Sequence, residues 1–70
     1  MEKLKVGTLL VDNNKVGVII RVITSGTLNT QHDLIKWRNN YEVYYNDGTV
    51  SIIGEATLHK LVQRGEVEIL

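Results

Sequence analysis

The alternation of hydrophobic and polar positions near the start of the chain predicts a β-hairpin. An apolar segment at 7–11 and a longer one at 16–23 flank a short polar stretch. That stretch contains Asn13 and Asn14, and asparagine tolerates the positive φ angles of a type I′ turn. The turn would form the cross-strand pairs Asp12–Lys15, Val11–Val16 and Leu9–Val18. We therefore expect one continuous core face made of Leu9, Val11, Val16, Val18, Ile20 and Val22.

A second hairpin is predicted in the middle of the chain, where the segments 41–45 and 50–53 flank an Asp47-Gly48 dipeptide. Asp-Gly between alternating strands indicates a two-residue turn. A three-residue loop is the alternative, but it would slip the register by one residue and turn Thr49 and Ser51 towards the core. With the two-residue turn, the expected core face consists of Tyr41, Val43, Tyr45, Val50 and Ile52.

The period of the pattern changes after the second hairpin and predicts a helix over about residues 57–64. Its apolar positions, Leu58, Leu61 and Val62, have helical spacing, with Thr57 as N-cap and Gly65 just beyond the C-terminus. Residues 66–70 alternate again and predict a closing strand, with Val67 and Ile69 pointing inward. The mostly polar stretch 24–36 is expected to be a long loop, and loops of that length are often functional.

These elements predict a single all-β domain over residues 1–70, a small five-stranded antiparallel barrel with one short helix before the last strand. The chain resembles Src homology-3-like barrels of the Tudor and KOW types in two segments, 16–19 (VGVI) after the short first hairpin and 41–48 (YEVYYNDG) in the middle. The plan also resembles short uncharacterised proteins of tailed bacteriophages. The resemblance implies a Src homology-3-like fold and a phage- or virus-encoded chain acting in the host cytoplasm. It implies no activity.

Composition favours a β-rich domain over a helical bundle. Val, Ile and Thr make up 22 of the 70 residues, whereas alanine occurs once. Cysteine is absent, which excludes disulfides and thiolate metal sites. No apolar segment of signal-peptide length follows the first residues, and no apolar run approaches the roughly 20 residues that span a bilayer. We therefore expect a soluble, cytoplasmic protein.

Candidate catalytic chemistry is sparse. The two histidines, His32 and His59, together with Asp33 and Glu55, are the plausible metal ligands, but they have no recognised ligand spacing. The six glycines are isolated and form no phosphate-binding loop. We therefore expect no catalytic, metal or cofactor site, and we predict that the protein is not an enzyme.

The leading functional hypothesis is a non-enzymatic protein-interaction module. In the expected register a set of apolar side chains points away from the barrel core, and exposed apolar patches usually mark interfaces. The helix and the long loop could instead cover this set. Self-association is expected, most simply as a two-fold homodimer, because small domains without disulfides often gain stability by oligomerising. The candidate interface residues are Leu10, Ile19, Ile23, Tyr44 and Ile53.

The alternative hypothesis is a nucleic-acid-binding accessory protein. Lys36, Trp37 and Arg38 place an aromatic side chain between two cations, and Arg21 could extend this surface. Trp37 is instead expected to cap one end of the barrel core, which would leave its flanking cations as ordinary solvated residues. The balance of 8 Lys+Arg against 8 Asp+Glu gives a net charge of zero, which argues against a general polyanion binder. Protein binding is therefore the favoured hypothesis.

Overall fold

A computed structural model describes the backbone of residues 3–29 and 34–70, and the side chains of 3–26 and 38–70. Its five strands form one antiparallel sheet in the order β4-β3-β2-β1-β5. The predicted all-β architecture, with a helix before the last strand, is confirmed, but the sheet is open, with β4 and β5 as its edges. The elements are β1 Leu9–Asp12, β2 Lys15–Asn29, β3 Leu34–Tyr45, β4 Val50–Gly54, α1 Glu55–Gln63 and β5 Val67–Ile69.

The first hairpin has the predicted turn and register. Asn13 and Asn14 both have positive φ, 49° and 67°, and the three expected cross-strand pairs are present. The predicted core face is wrong, however, because Leu9, Val16 and Ile20 are exposed. Both faces of these strands are apolar, so alternation alone does not say which face is covered.

Gly17 identifies the covered face. A Cβ atom on Gly17 would lie 2.6 Å from Val43 Cγ1 and 2.9 Å from Tyr45 Cδ1. The absence of a side chain at this position therefore lets two core residues pack directly against the β2 backbone. Its inward-facing neighbours on the sheet, Leu10 and Ile19, are fully buried.

A β-bulge at Ile20 changes which residues of β2 face the core. Ile19 pairs with Val43, whereas the next pair joins Arg21 to Glu42, so β2 has one extra residue. The extra residue restores Val22 to the core side, where it packs against the buried cluster as predicted.

The predicted register of the second hairpin is wrong by one residue. Tyr44 pairs with Val50, so the loop comprises three residues, 46–48. The Tyr45 N–H donates to the Thr49 carbonyl at 2.9 Å, and the Gly48 N–H donates to the Tyr45 carbonyl at 3.0 Å. Gly48 has a φ of 87°, as expected for the left-handed residue that ends such a loop. Tyr41, Val43 and Tyr45 are core residues as predicted, whereas Val50 and Ile52 are exposed.

The helix begins two residues before its predicted start, with Gly54 rather than Thr57 as N-cap. Its C-terminal end is as predicted. Gly65 has a φ of 76° and donates its N–H to the Val62 carbonyl at 3.1 Å, while the Glu66 N–H donates to the Leu61 carbonyl at 2.9 Å. This pair of bonds is the Schellman motif.

The helix and the closing strand complete the core on one face of the sheet. The fully or almost fully buried side chains are Leu10, Ile19, Tyr41, Val43, Tyr45, Leu58 and Val67. Leu61, Val62 and Ile69 pack against this cluster, which confirms the predicted inward faces of α1 and β5. We call the opposite side of the sheet the outer face.

The predicted long loop is instead a two-stranded ribbon. β2 and β3 continue past the rest of the sheet, and residues 24–29 pair with residues 34–39. The ribbon extends beyond Gly54, which pairs with Asn40 at the end of β4. Six residues per strand give the ribbon a length of about 20 Å. The polar residues of this stretch suggested a loop, but backbone pairing between two strands does not require an apolar pattern.

Candidate interaction surface

A row of apolar residues crosses the outer face of the sheet from edge to edge. Val18 pairs with Leu9 on β1 and with Tyr44 on β3, and Tyr44 pairs with Val50 on β4. At the other edge, the Leu70 N–H donates to the Leu9 carbonyl at 3.0 Å. We call these five residues the apolar row.

Further apolar residues flank the row along the strands. Val11 and Val16 form a cross-strand pair on one side, and Ile52 stands opposite Glu42 on the other. The large apolar residues between 40 and 64% exposed on this part of the molecule are Leu9, Val16, Ile20, Tyr44, Val50, Ile52 and Leu70. The row and its flanks therefore form a continuous apolar outer face rather than scattered single residues.

The size of this face is comparable to that of functional patches. Five strands spaced by about 4.8 Å give a width of about 24 Å, and residues 16–20 span about 17 Å along the strand. The projected area is therefore roughly 400 Å², similar to the largest apolar patches of monomeric proteins, many of which are functional.

Charged residues stand at the borders of the apolar outer face. Arg21 Nη2 lies 3.3 Å from Glu42 Oε2 on one side of the row, and Glu68 stands opposite Val11 on the other. At the first of these borders, Arg21 and Glu42 compensate each other's charge.

The five predicted interface residues do not lie together on this surface. Leu10 and Ile19 are fully buried, and Ile53 packs against the core, so their predicted outward orientation is wrong. Ile23 is half-buried. Tyr44 is exposed and lies in the apolar row. The misassignment follows from the inverted faces of the first hairpin and the slipped register of the second.

Sequence reasoning missed most of the row, namely Leu9, Val18, Val50 and Leu70. One available signal was Gly17 between two valines. A glycine inside an apolar strand indicates a close backbone approach, and that approach occurs on the core side. Assigning Gly17 to the core would have placed both valines outside.

The residues of the nucleic-acid hypothesis are divided between the sheet and the ribbon. Arg21 is ion-paired with Glu42 beside the apolar row. Lys36, Trp37 and Arg38 lie on the β3 strand of the ribbon, opposite Thr27, Gly26 and Ser25. The Arg38 side chain is exposed, and the side chains of Lys36 and Trp37 lie outside the described residues.

An open cleft of about 590 Å³ lies where the base of the ribbon meets α1. Asn39 Nδ2 donates to Glu55 Oε2 at 2.7 Å, and the Tyr41 hydroxyl reaches the same oxygen at 3.5 Å. The Leu4 N–H donates to this hydroxyl at 3.1 Å. These groups satisfy one another, so their evident role is to join the N-terminal segment, β3 and α1. The cleft is lined by Arg38, Asn39, Asn40, Gly54, Glu55, Ala56, Thr57 and His59.

The metal-ligand candidates are not assembled in the described part of the chain. His59 and Glu55 lie on α1 beside the cleft, while His32 and Asp33 fall outside the described residues. Among the described side chains, those of residues 3–26 and 38–70, no group of three or more His, Cys, Asp or Glu residues could hold a metal ion. Over the same residues, no helix has the length and apolar character required to cross a membrane.

No family model matches the chain, and neither a curated protein nor a solved structure matches it.

Proposed function

We propose that this chain is a non-enzymatic protein-interaction module that binds its partner through the apolar outer face. The observation that carries this proposal is the apolar row, which crosses β1 to β4 and reaches Leu70, just after β5, without a charged residue. Covering apolar surface yields about 25 cal/mol per Å². A patch of this size therefore offers a substantial driving force for association.

Tyr44 is the expected anchor of this surface. It lies within the row between Val18 and Val50 and is about half exposed. Aromatic side chains near the centre of an interface often dominate binding energy, because they bury a large area at a small cost in conformational entropy. The partner surface should accordingly be apolar and should accept an aromatic ring.

The proposed Src homology-3-like identity is supported by the strand order. The nine-residue α1 departs from that pattern, because a single 3₁₀ turn usually precedes the last strand. The proposed phage or viral origin, and with it a host-cytoplasmic location, rests on the sequence resemblance alone. Neither is needed for the proposed binding surface, which follows from the exposed residues themselves.

Affinity purification with quantitative mass spectrometry tests the proposal. The wild-type chain and the variants Tyr44→Lys and Ile52→Lys would be compared as baits in extracts of the source cells. Gln63→Lys is the matched control, because Gln63 is exposed on α1, which covers the opposite side of the sheet. We expect a partner that wild type and Gln63→Lys retain and both outer-face variants lose. Equal recovery with all four baits would contradict the proposal.

A second candidate function, nucleic-acid binding, is favoured by the ribbon. The major groove of B-DNA admits a two-stranded β-ribbon, and this ribbon includes Lys36, Trp37 and Arg38. Fluorescence anisotropy with labelled oligonucleotides at several salt concentrations tests it. Binding that weakens with salt and is lost in Trp37→Ala, but not in Tyr44→Lys, would support this function over protein binding. The zero net charge favours protein binding.

A further inference from the structure

We infer that the partner of the apolar outer face is a second copy of this chain, so that two sheets pack face to face. This inference rests on the proposed function, because it names the partner of the same surface. Of the interface expected from the sequence it keeps only Tyr44, because Leu10 and Ile19 are buried within one protomer.

The available area suits a weak but specific dimer. The projected face of roughly 400 Å² has a larger accessible area because its side chains stand up from the sheet. Two such faces would together bury on the order of 1,000 Å², near the lower limit of specific interfaces. We therefore expect a dissociation constant on the order of micromolar to tens of micromolar.

The charges permit two identical faces to approach. The chain has no net charge, so long-range repulsion between copies is weak. On the face itself, Arg21 is already paired with Glu42 at the border. Neither of these two side chains needs a compensating charge from the partner.

The strand order makes the face complementary to itself. β2 is the middle strand of the five, and Val18 is the middle residue of the row. A two-fold axis parallel to β2 places β3 of one protomer over β1 of its partner, and β4 over β5. Tyr44 then faces the partner's Leu9, and Val50 faces the partner's Leu70. Every row residue meets an apolar residue, with the sheets about 10 Å apart.

Sedimentation equilibrium of the full chain from micromolar to millimolar concentration is the first test. We expect a monomer–dimer equilibrium that Tyr44→Lys weakens at least tenfold and Gln63→Lys leaves unchanged. Ile52→Lys provides a second outer-face variant on the edge strand, and circular dichroism identifies the variants that remain folded. A chain that stays monomeric at millimolar concentration would overturn the inference.

The second test determines which surface is used. In a sample mixing ¹³C-labelled and unlabelled protomers, isotope-filtered NMR should show contacts between the Tyr44 ring and the partner's Leu9 methyl groups. A dimer that Tyr44→Lys and Ile52→Lys do not weaken would show another interface and overturn the inference. If the chain is monomeric yet captures a different protein in an Ile52-dependent manner, the inference fails while the proposed function stands. If it dimerises through this face and captures no other protein, the inference stands and the module binds itself.

Discussion

The Tyr45 hydroxyl donates a hydrogen bond to the Asp12 carboxylate at 3.0 Å, joining β3 to β1 across the intervening β2. The ring reaches across because the β2 residue opposite Tyr45 is Gly17. Lys15 lies on the same side, with its Nζ 4.6 Å from the ring centroid. Three strands are therefore held together by one side chain at the turn end of the sheet.

Adding a methyl group at Gly17 should destabilise the fold. The new Cβ in Gly17→Ala would overlap Val43 and Tyr45 at 2.6 and 2.9 Å, and overpacking of this kind costs about 1–3 kcal/mol. Urea denaturation measures the loss. Gly54→Ala is the control, since its Cβ would meet only Asn40 Oδ1 at 3.4 Å, and the cost there should be smaller. Equal losses would mean that Tyr45 does not pack against β2.

Removing the Tyr45 hydroxyl should lower the free energy of unfolding by about 1 kcal/mol, as expected for one hydrogen bond. It should also change how stability depends on pH in the alkaline range. Burial, followed by the hydrogen bond to Asp12, raises the pKa of Tyr45 from 10.0 to about 12. Folding favours the protonated phenol, so this stabilisation is complete below pH 10 and disappears as the pH rises through about 12.

The stability difference between wild type and Tyr45→Phe should therefore shrink and then change sign between pH 10 and pH 12, because a pKa rise of this size outweighs one hydrogen bond. Urea denaturation at several pH values measures it, and comparison with Tyr45→Phe removes the contributions of the other titrating groups. A difference that stays constant over this range would contradict the raised pKa.

The stability lost on substituting Gly48 should depend on how readily the new residue adopts a left-handed backbone conformation. Gly48 has a φ of 87°, which a β-branched residue resists, so Gly48→Val should destabilise by more than about 1 kcal/mol. Gly48→Asn should be milder, because asparagine adopts positive φ more readily. No atom lies within 4 Å of a Cβ at this site, so steric overlap does not confuse the comparison. Urea melts in which the two variants lose equal stability would contradict this explanation.

Two adjacent isoleucines test which face of the first hairpin is buried. Ile19 is fully buried, whereas Ile20 is 43% exposed at the bulge. We expect Ile19→Ala to cost about 2–5 kcal/mol and Ile20→Ala to cost less than about 1 kcal/mol. Thermal or urea denaturation gives both values. The reverse order is what the sequence pattern alone predicts, so the pair distinguishes the two assignments.

The sequence predicted the fold best where a local backbone conformation requires a particular residue type. Two asparagines with positive φ determine the first turn, and Gly65 ends the helix. It was least informative where a choice depends on distant packing. Gly48 suits both a two-residue turn and a three-residue loop, and the polar stretch 24–36 suits a ribbon as well as a loop. The candidate surface was missed for the same reason. β2 is apolar on both faces, and the residues that cover one of them, such as Val43 and Tyr45 against Gly17, are distant in the sequence.

The pairing of β1 with β5 has a consequence for the order of folding events. Asp12 pairs with Val67, so this contact closes a loop of most of the chain, whereas the first hairpin closes a loop of two residues. Loop-closure entropy makes such a distant contact slow to form. We expect β5 to dock after the transition state, so that Val67→Ala accelerates unfolding and leaves the refolding rate nearly unchanged.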